Sequence, residues 1–395
     1  MELNKQIYKT PFEKPIQKEE SQNSFISTGE KSRVLSDKYN NSKNKNEIAS
    51  TMPSINDKHY YNNIEHMYEL IDIINPRFRE TFELTNFISF GGTGIVYEGN
   101  LLKSKNHQKL AFKFKLNQKK KNDESQVISI LKKLHHKNTT QIYAFIRMNE
   151  NCHFSVLELG KHGDIEHFQK VLLKRKVLSE TIICYFSKQI LEALDYIHKC
   201  KIIHMDIKQG NIIVDSDLNL KLTDFSVSCS YAAFHPEDLV KYPYVGTSKY
   251  MSPEILNKTH MKIKDSCKID MYSLGVTLYN MAFDIYPFKL DEVGNKDYSN
   301  ILKNIINEKL EFPKDRKVSE SFKDFLKRLL EKDYSKRLSI KQALIHPWIQ
   351  GAQIIFDEKE QAFCHENFLI NLITDDIPKF NEYLKRIDVN LNDIY

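Results

Sequence analysis

Apolar residues recur at helical spacing near the start of the chain, over residues 60–74. The positions that share one face of this predicted helix are Ile64, Met67, Tyr68, Ile71 and Ile74. Side chains three and four positions apart lie on the same side of a helix, so this stripe predicts an amphipathic helix. Pro76 predicts where the helix ends.

The hydrophobic pattern changes twice further along the chain. From Phe82 to about Leu159 it is strand-like and interrupted by glycines. From Ser179 to about Trp348 helical periodicity dominates. The pattern predicts an α+β fold with a small β-rich unit followed by a larger helical one.

Two segments of different composition flank these units. Residues 1–58 are rich in Lys, Asn, Ser and Glu, so they cannot bury enough apolar surface to offset the entropy of ordering. They are predicted to form a disordered tail, although a docking or phosphorylation segment stays open as the alternative. Residues 59–81 are predicted to form a helical extension, and residues 351–395 a tail with amphipathic helices.

Composition and charge narrow the class of protein. The hydrophobic fraction of 41% suffices for a core, and the net charge of +6 is spread along the chain, so no nucleic-acid partner is predicted. The six cysteines form no CxxC pair, which indicates reduced thiols and a cytoplasmic or nuclear protein. Neither a secretory signal nor a membrane span is predicted. We expect a monomer.

Glycines cluster in the run Ser89–Val96, at a predicted turn between two strands. Glycine has no Cβ, so the backbone can approach phosphate oxygens closely. Tight hairpins need glycines as well, and this run alone leaves both interpretations open. Lys113, in the run Leu110–Lys113, is by itself equally consistent with an exposed strand lysine.

A more specific signal lies in the helical half of the chain. The run His204–Asn211 resembles the H-R-D-L-x-x-x-N catalytic loop of eukaryotic protein kinases, and Asp224-Phe225-Ser226 stands where that family has D-F-G. The earlier runs are similar to the Gly-rich loop and the V-A-I-K strand of the same family. Gly246–Glu254 resembles the docking loop that ends in A-P-E.

The resemblance covers residues 82–350 and identifies the chain as a member of the eukaryotic protein kinase superfamily. It implies a bilobal fold, with an N-lobe over residues 82–158 and a C-lobe over residues 159–350. His-Met-Asp-Ile-Lys is also similar to the loop of Wee-type and Mos-type kinases, which does not assign a subfamily.

The resemblance also implies an activity, the transfer of the γ-phosphoryl group of ATP to Ser or Thr of protein substrates, with Mg²⁺ or Mn²⁺ as the metal. Asp206 is implied as the catalytic base, with Lys208 and Thr247 beside it, because the incoming hydroxyl needs a carboxylate and the phosphoryl group needs positive charge. Asn211 and Asp224 are implied as metal ligands. The implied ATP-binding residues are Ile88, Gly91, Gly92, Thr93, Gly94, Val96, Ala111, Lys113, Leu157, Glu158, Leu159, Asp164 and Ile213.

Three further roles implied by the resemblance are structural. Asp270 is expected to orient the backbone of the catalytic loop. Arg337 is expected to be the buried partner of Glu254, and His346-Pro347-Trp348 closes the domain.

The chain departs from the family pattern at several positions. The glutamate that pairs with the strand lysine falls on Val127 in the predicted helix Ser125–His136, and Glu124 lies three residues earlier. Ser89 and Ser226 replace glycines of the Gly-rich loop and of D-F-G. We expect a stiffer loop and a more restricted switch from these two serines.

Met205 replaces the arginine that binds a phosphorylated activation segment in the family, and no Ser or Thr lies between Tyr231 and Gly246. We therefore expect a segment that is ordered without phosphorylation. The main alternative to an active Ser/Thr kinase is a weakly active kinase or pseudokinase that acts as an ATP-binding scaffold. A small-molecule phosphotransferase is a third interpretation, which the Ser252-Pro253-Glu254 docking motif disfavours.

Overall fold

The structure is a computed structural model of the chain. It describes residues 61–91, 94–102, 109–115, 130–131, 133–147, 153–173, 177–289 and 298–351. These divide into two compact units, a small one of residues 61–115 and 143–157 and a large one of residues 130–142 and 158–351. The predicted tails, residues 1–58 and 351–395, lie outside the described residues except for Gly351.

A five-stranded sheet is the frame of the small unit. Its strands are β1 (Phe82–Gly91), β2 (Gly94–Leu101), β3 (Lys109–Lys115), β4 (Ile142–Arg147) and β5 (His153–Glu158). Their spatial order is β1-β2-β3-β5-β4, and β2 pairs antiparallel with both β1 and β3. Cross-strand partners in an antiparallel pair point to the same face of the sheet, so the register fixes which side chains share a face.

Helix α1 (Ile64–Ile74) precedes the sheet and confirms the helix predicted from the apolar stripe. The Asn63 side chain caps it by accepting a hydrogen bond from the Glu65 backbone N–H at 3.0 Å. Met67 and Ile71 are completely buried. The Tyr68 hydroxyl accepts a hydrogen bond from the Leu84 backbone N–H in β1 at 2.6 Å, which ties the helix to the sheet.

Aromatic rings make up much of the core between α1 and the sheet. The centroid of the Phe78 ring lies 5.3 Å from that of Phe154, 5.9 Å from Phe114 and 6.2 Å from Phe112. Phe112 and Phe114 alternate along β3 with Ala111 and Lys113, which therefore lie on the opposite face. Each such ring pair contributes roughly 0.5–1.5 kcal/mol beyond its burial.

The large unit is mostly helical. Its helices are α2 (Ile165–His167), α3 (Glu180–Lys199), α4 (Pro253–Leu256), α5 (Lys268–Phe283), α6 (Tyr298–Asn307), α7 (Glu320–Leu329), α8 (Ile340–Leu344) and α9 (Pro347–Gln350). Helix α5 is buried on almost all sides, as its run of apolar residues around the whole helix requires. No helix in the described ranges has the length and apolar character needed to cross a membrane.

Short strands in the large unit position its loops. They are β6 (Ile202–Ile203), β7 (Ile212–Val214), β8 (Leu220–Leu222), β9 (Cys229–Ser230), β10 (Leu239–Val240) and β11 (Met261–Lys262). They pair as β6 with β9, β7 with β8 and β10 with β11. The two units together confirm the predicted α+β fold class.

A buried ion pair joins the segment before α5 to the one after α7. The Arg337 Nη1 and Nη2 atoms lie 2.7 and 2.9 Å from the two carboxylate oxygens of Glu254. This bidentate geometry confirms the predicted pair. Removing one partner of such a pair costs about 3–5 kcal/mol, because the other charge is left buried and uncompensated.

Candidate active site

One carboxylate of α5 anchors the loop His204–Asn211 through hydrogen bonds. Asp270 is completely buried and accepts hydrogen bonds from the backbone N–H groups of His204 and Met205, both at 2.9 Å. Met205 has a positive φ of 70°, a conformation that non-glycine residues seldom adopt. The two hydrogen bonds confirm the predicted role of Asp270 and stabilise this bend in the loop.

His198, on α3, is a third partner of Asp270. Its Nε2 atom lies 2.9 Å from the Asp270 Oδ2 atom, and both side chains are buried. Burial alone would lower the pKa of His198, but Cys267 and the Asp270 carboxylate beside it raise that pKa above its usual value. His198 thereby adds a third hydrogen bond to the Asp270 carboxylate.

Asp206, Lys208 and Thr247 form a closed set of hydrogen bonds. The Lys208 ammonium group donates to the Asp206 Oδ2 atom at 2.8 Å and to the Thr247 hydroxyl at 2.6 Å. The Thr247 backbone N–H donates to the other oxygen of Asp206 at 2.7 Å. The three residues predicted to be catalytic are therefore in direct contact.

The Asp206 carboxylate is also bound by Asn211. The Asn211 amide nitrogen donates to the backbone oxygen and to the Oδ2 atom of Asp206, both at 2.8 Å. Burial alone would raise the pKa of Asp206, but Lys208 and Thr247 hold that pKa below its usual value. Asp206 is thus a carboxylate at neutral pH, the form that accepts a proton.

Gly246 allows the Thr247 backbone to approach this loop. Its φ is +89°, and a Cβ at this position would lie 2.4 Å from the Met205 backbone oxygen and 3.1 Å from the Asp206 Oδ1 atom. Any other residue would clash with the catalytic loop. Gly246 was predicted only as part of the docking motif and not for this role, although a glycine directly before Thr247 was the available signal.

The β7–β8 hairpin brings Asn211 and Asp224 together. Asn211 precedes β7, and Asp224 follows β8 by two residues. The Thr223 backbone N–H donates to the backbone oxygen of Asn211 at 2.9 Å. Asp224 has left-handed backbone angles, φ 62° and ψ 66°, which aspartate tolerates better than most residues. Such strained positions concentrate at functional sites.

The oxygens of Asn211 and Asp224 suit a hard cation. No group of three or more His, Cys, Asp or Glu side chains within the described ranges could hold a metal by itself. Mg²⁺ is commonly bound by one or two protein oxygens together with substrate phosphates, so the two-residue set fits Mg²⁺ with ATP rather than a protein-only metal site.

His204 joins the two loops. Its Nε2 atom lies 2.9 Å from the Thr223 oxygen, and its Nδ1 atom accepts from the Asp206 backbone N–H at 3.3 Å. This pattern assigns a proton to Nε2, which donates it to the Thr223 backbone oxygen. The ring packs against Phe225 at 4.8 Å between centroids. Ser226, next to Phe225, lies in a 3₁₀ turn without a positive φ, so this conformation does not require glycine there.

The face of the small-unit sheet opposite the aromatic core carries several predicted ATP-binding residues. Val96 is the cross-strand partner of Lys113, and Ala111 pairs with Glu98, so Val96, Ala111 and Lys113 share that face. Leu157 alternates with the buried Val156 along β5 and lies on the same side. The register thus brings four of these residues to one surface.

The glycine-containing turn is described in part. Ile88 is 42% exposed, and Gly91 pairs with Gly94 across the β1–β2 hairpin. Gly94 has a φ of +136°, and a Cβ there would lie 2.4 Å from the Phe114 oxygen, so glycine is required. Gly92 and Thr93 lie outside the described residues.

The remaining predicted ATP-binding residues lie at the start of the large unit. Glu158 is held by Lys221, with 3.0 Å between nitrogen and oxygen, and Leu159 follows it half-buried. Asp164 caps α2 by accepting from the His167 backbone N–H at 2.8 Å, and it forms a β-bridge with Ile213. The predicted contacts of all these residues with ATP stay predictions.

The predicted helix around Val127 is described only near its C-terminal end. Ile130 and Leu134 are buried there, and Leu131 is half-buried against the same core. Val127 and Glu124 lie outside the described residues. That Val127 takes the position of the family's helix glutamate therefore stays a prediction.

Two residues that support the loop, His198 and Gln209, were not predicted from the sequence. The Gln209 side chain donates to the Asn280 oxygen on α5 at 2.8 Å and so anchors the loop a second time. A histidine or glutamine within an apolar run is usually a hydrogen-bonded core residue, which was the only available signal. Residues that pair from distant parts of the chain leave no periodic pattern in the sequence.

Comparison with known proteins shows which family the chain belongs to. Residues 82–349 match the family model described as protein kinase domain. The chain is 30% identical over 271 residues to a cell cycle serine/threonine-protein kinase of Saccharomyces cerevisiae, covering 67% of this chain and 36% of that protein. It is 32% identical over 303 residues to a probable myosin light chain kinase of Dictyostelium discoideum, covering 76% and 56%.

A third relative is a calcium/calmodulin-dependent protein kinase kinase of Caenorhabditis elegans, 29% identical over 262 residues, covering 66% of this chain and 46% of that protein. The chain therefore spans less than two-thirds of the length of these curated relatives.

Proposed function

The chain belongs to the protein kinase domain family, as the resemblance predicted, and we propose that it transfers the γ-phosphoryl group of ATP to Ser or Thr hydroxyls of other proteins. The single observation that carries this proposal is the closed set formed by Asp206, Lys208, Thr247 and Asn211. It places an ionised carboxylate beside an ammonium group within the loop His204–Asn211.

Asp206 acts as the base in this proposal. Its pKa is held below the usual range, so it is ionised at neutral pH and accepts the proton of the acceptor hydroxyl. The Asn211 amide, the Lys208 ammonium group and the Thr247 backbone N–H fix the orientation of the carboxylate, because each donates a hydrogen bond to it.

Lys208 has a second role, since its ammonium group bridges Asp206 and Thr247 and supplies positive charge beside the acceptor. Fixed charge where negative charge develops is a major source of catalysis. Asn211 and Asp224 would hold Mg²⁺, and Mn²⁺ is an alternative for the same oxygens. The metal would neutralise charge on the phosphates when bound.

The resemblance also favours Ser or Thr as the acceptor, because Lys208 and Thr247 match positions that are typical of Ser/Thr rather than Tyr kinases. The cell cycle kinase named above is likewise a serine/threonine-protein kinase. The monomeric state, the lack of nucleic-acid and membrane partners, and a cytoplasmic or nuclear location stay predictions from the sequence.

The test is γ-phosphoryl transfer from Mg·ATP to a generic protein substrate by the purified full chain, followed by identification of the phosphorylated amino acid. We expect phosphoserine or phosphothreonine, and a loss of about 10²–10⁴-fold in rate for Asp206→Asn, the range for a missing general base. Asp315→Asn, at an exposed loop residue, is the matched control.

Two results would contradict the proposal. Phosphotyrosine as the main product would exclude the Ser/Thr assignment. ATP binding without transfer above the Asp206→Asn background would favour the ATP-binding scaffold instead.

A further inference from the structure

Two lysines flank the turn that reaches the candidate base. Gly246 and Thr247 contact the catalytic loop, and Lys249 follows Thr247 by two residues in an exposed position. The Lys249 ammonium group lies 5.0 Å from the centroid of the Tyr286 ring, which itself packs edge-on against Tyr250 at 5.7 Å. A side chain that is already held in place loses less conformational freedom when it binds a partner.

Lys258 packs on a residue of the segment that leads into the same turn. Its ammonium group is 4.6 Å from the centroid of the Tyr244 ring, two residues before Gly246. The Tyr244 ring stacks on Tyr298 at 4.4 Å, and its hydroxyl donates to the Leu256 oxygen at 3.0 Å. This tyrosine is therefore fixed from two sides, and it fixes the lysine above it.

Neither ammonium group is neutralised by a carboxylate among the described residues. Lys262 and Lys264, which are nearby in sequence, both bind Glu237, at 2.8 and 2.7 Å. Lys249 and Lys258 form no ion pair with any described carboxylate. Their positive charge is available to an external partner.

Three of the acidic groups near the loop are already engaged. Lys208 binds Asp206, and Lys170 binds Glu166 with 2.9 Å between nitrogen and oxygen. Burial raises the pKa of the Tyr250 hydroxyl, and the nearby charge of Glu166 raises it further. Glu254 is sealed in its buried pair with Arg337. None of these three carboxylates therefore compensates the charge of Lys249 or Lys258.

We propose that Lys249 and Lys258 select acceptor peptides with acidic residues next to the phosphorylated Ser or Thr. The inference rests on the proposed function, because it assigns the acceptor hydroxyl to Asp206. A peptide is favoured over nucleic acid because two separate lysines beside a catalytic carboxylate do not form the long basic stripe that a phosphate backbone requires.

A binding experiment tests this without requiring turnover. Three fluorescent peptides share one sequence in which Ala replaces the acceptor, and they carry Asp, Ala or Arg at the flanking positions. We expect the acidic peptide to bind the full chain roughly tenfold more tightly than the neutral one, since each exposed charge pair contributes up to about fivefold. The difference should shrink as NaCl is raised.

Variants then assign the preference to the two lysines. Lys249→Ala with Lys258→Ala should bring the affinity ratio of acidic to neutral peptide close to one, and Lys249→Glu with Lys258→Glu should reverse it in favour of the basic peptide. Lys317→Glu with Lys341→Glu makes the same change in net charge at exposed lysines elsewhere in the large unit. This control should keep the wild-type ratio.

The same peptides with Ser as the acceptor give kcat/KM for the acidic and the neutral sequence. The ratio of these two values should follow the ratio of the two binding affinities. Circular dichroism checks that each variant is folded, and the single substitutions replace the pair if the double variant is not. Equal binding of acidic and neutral peptides, a preference for basic peptide or for a short DNA duplex, or an equal shift in the control would overturn the inference. Absence of transfer to any substrate by the wild type would instead overturn the proposed function.

Discussion

The two units hold their functional side chains by different physical means. In the large unit, buried hydrogen bonds to charged groups fix each loop, as Asp270 does for His204 and Met205. In the small unit, strand register and an aromatic core set the face that carries Val96 and Lys113. One arrangement depends on single polar atoms, whereas the other depends on the packing of many carbon atoms.

This difference has a consequence for how each unit responds to substitution. A directional hydrogen bond in a buried site is either made or lost, so its removal displaces a specific group and affects catalysis. Apolar packing is spread over many weak contacts, so its removal lowers stability with little change in the geometry of the opposite face. Removing a hydrogen bond at the catalytic loop, by substitution of Asp270, and one on the core side of the small unit's sheet, by substitution of Tyr68, therefore separates the two arrangements.

Of the substitutions that test this comparison, Asp270→Asn should have the largest effect on activity, because this carboxylate is the centre of the polar arrangement. Asn offers one acceptor oxygen in place of two, so the N–H groups of His204 and Met205 cannot both keep their partner. We expect a fall of about 100-fold in kcat, because a displacement of about 1 Å in a catalytic group has an effect of this size. Steady-state kinetics on a folded variant measures it.

The matched control is Asp265→Asn, in the turn that precedes α5. Its kcat should stay within about twofold of the wild type, because Asp265 does not contact the catalytic loop in the described structure. A kcat for Asp270→Asn equal to that of this control would show that the loop keeps its shape without the carboxylate.

Local motifs made the main features of the large unit predictable. The catalytic loop, the role of Asp270 and the pair of Glu254 with Arg337 all follow from short runs of residues, and the structure confirms their contacts. The partnership of His198 with Asp270 was not predictable, because the two residues lie 72 positions apart and no periodicity links them.

The small unit shows the same limit in another form. The apolar stripe predicted α1 and its buried face, since spacing within one helix is a local property. It did not predict that the Tyr68 hydroxyl would reach the Leu84 backbone, because that contact depends on how the helix lies on the sheet. The register that groups Val96, Ala111 and Lys113 also became visible only with the sheet.

Replacing Tyr68 by Phe should separate stability from catalysis in the small unit. The buried Leu84 N–H would lose its partner, which costs roughly 1–3 kcal/mol of unfolding free energy. We expect kcat at low temperature to stay within about twofold, because the hydroxyl lies on the core side of the sheet. Urea unfolding and kinetics on the same sample measure both quantities.

Tyr334→Phe provides the control for this change, since that hydroxyl makes no hydrogen bond within the described part of the chain. Its unfolding free energy should match the wild type. A large fall in kcat for Tyr68→Phe, with stability unchanged, would mean that packing in the small unit transmits directly to the functional face.

The smallest effect is expected at the activation segment, where the large unit uses exposed charges. Glu237 binds Lys262 and Lys264, and β10 pairs with β11 beside them. The two lysines lower the pKa of Glu237 to about 2. The two ion pairs of Glu237, together called the Glu237 bridge, are therefore fully formed at pH 7. Their contribution to stability is lost only in acid, as the pH falls from the ordinary pKa of 4.5 towards 2.

We expect this bridge and strand pair to order the segment without phosphorylation, in line with the buried Met205 at the position of the family's phosphate-binding arginine. Phosphatase treatment of the purified chain should then leave kcat unchanged. Glu237→Gln should lower kcat by less than about threefold, and high salt should reduce the gap to the wild type, because exposed ion pairs are weak and screened.

Glu320→Gln, which breaks an exposed pair with Lys323 on α7, is the control for a general loss of surface charge. It should show no change in kcat and no salt-dependent difference from the wild type. A loss of activity on phosphatase treatment, traced to Tyr242 or Tyr244, would contradict the prediction, because it would show that a covalent phosphate rather than Glu237 supplies the negative charge that orders the segment.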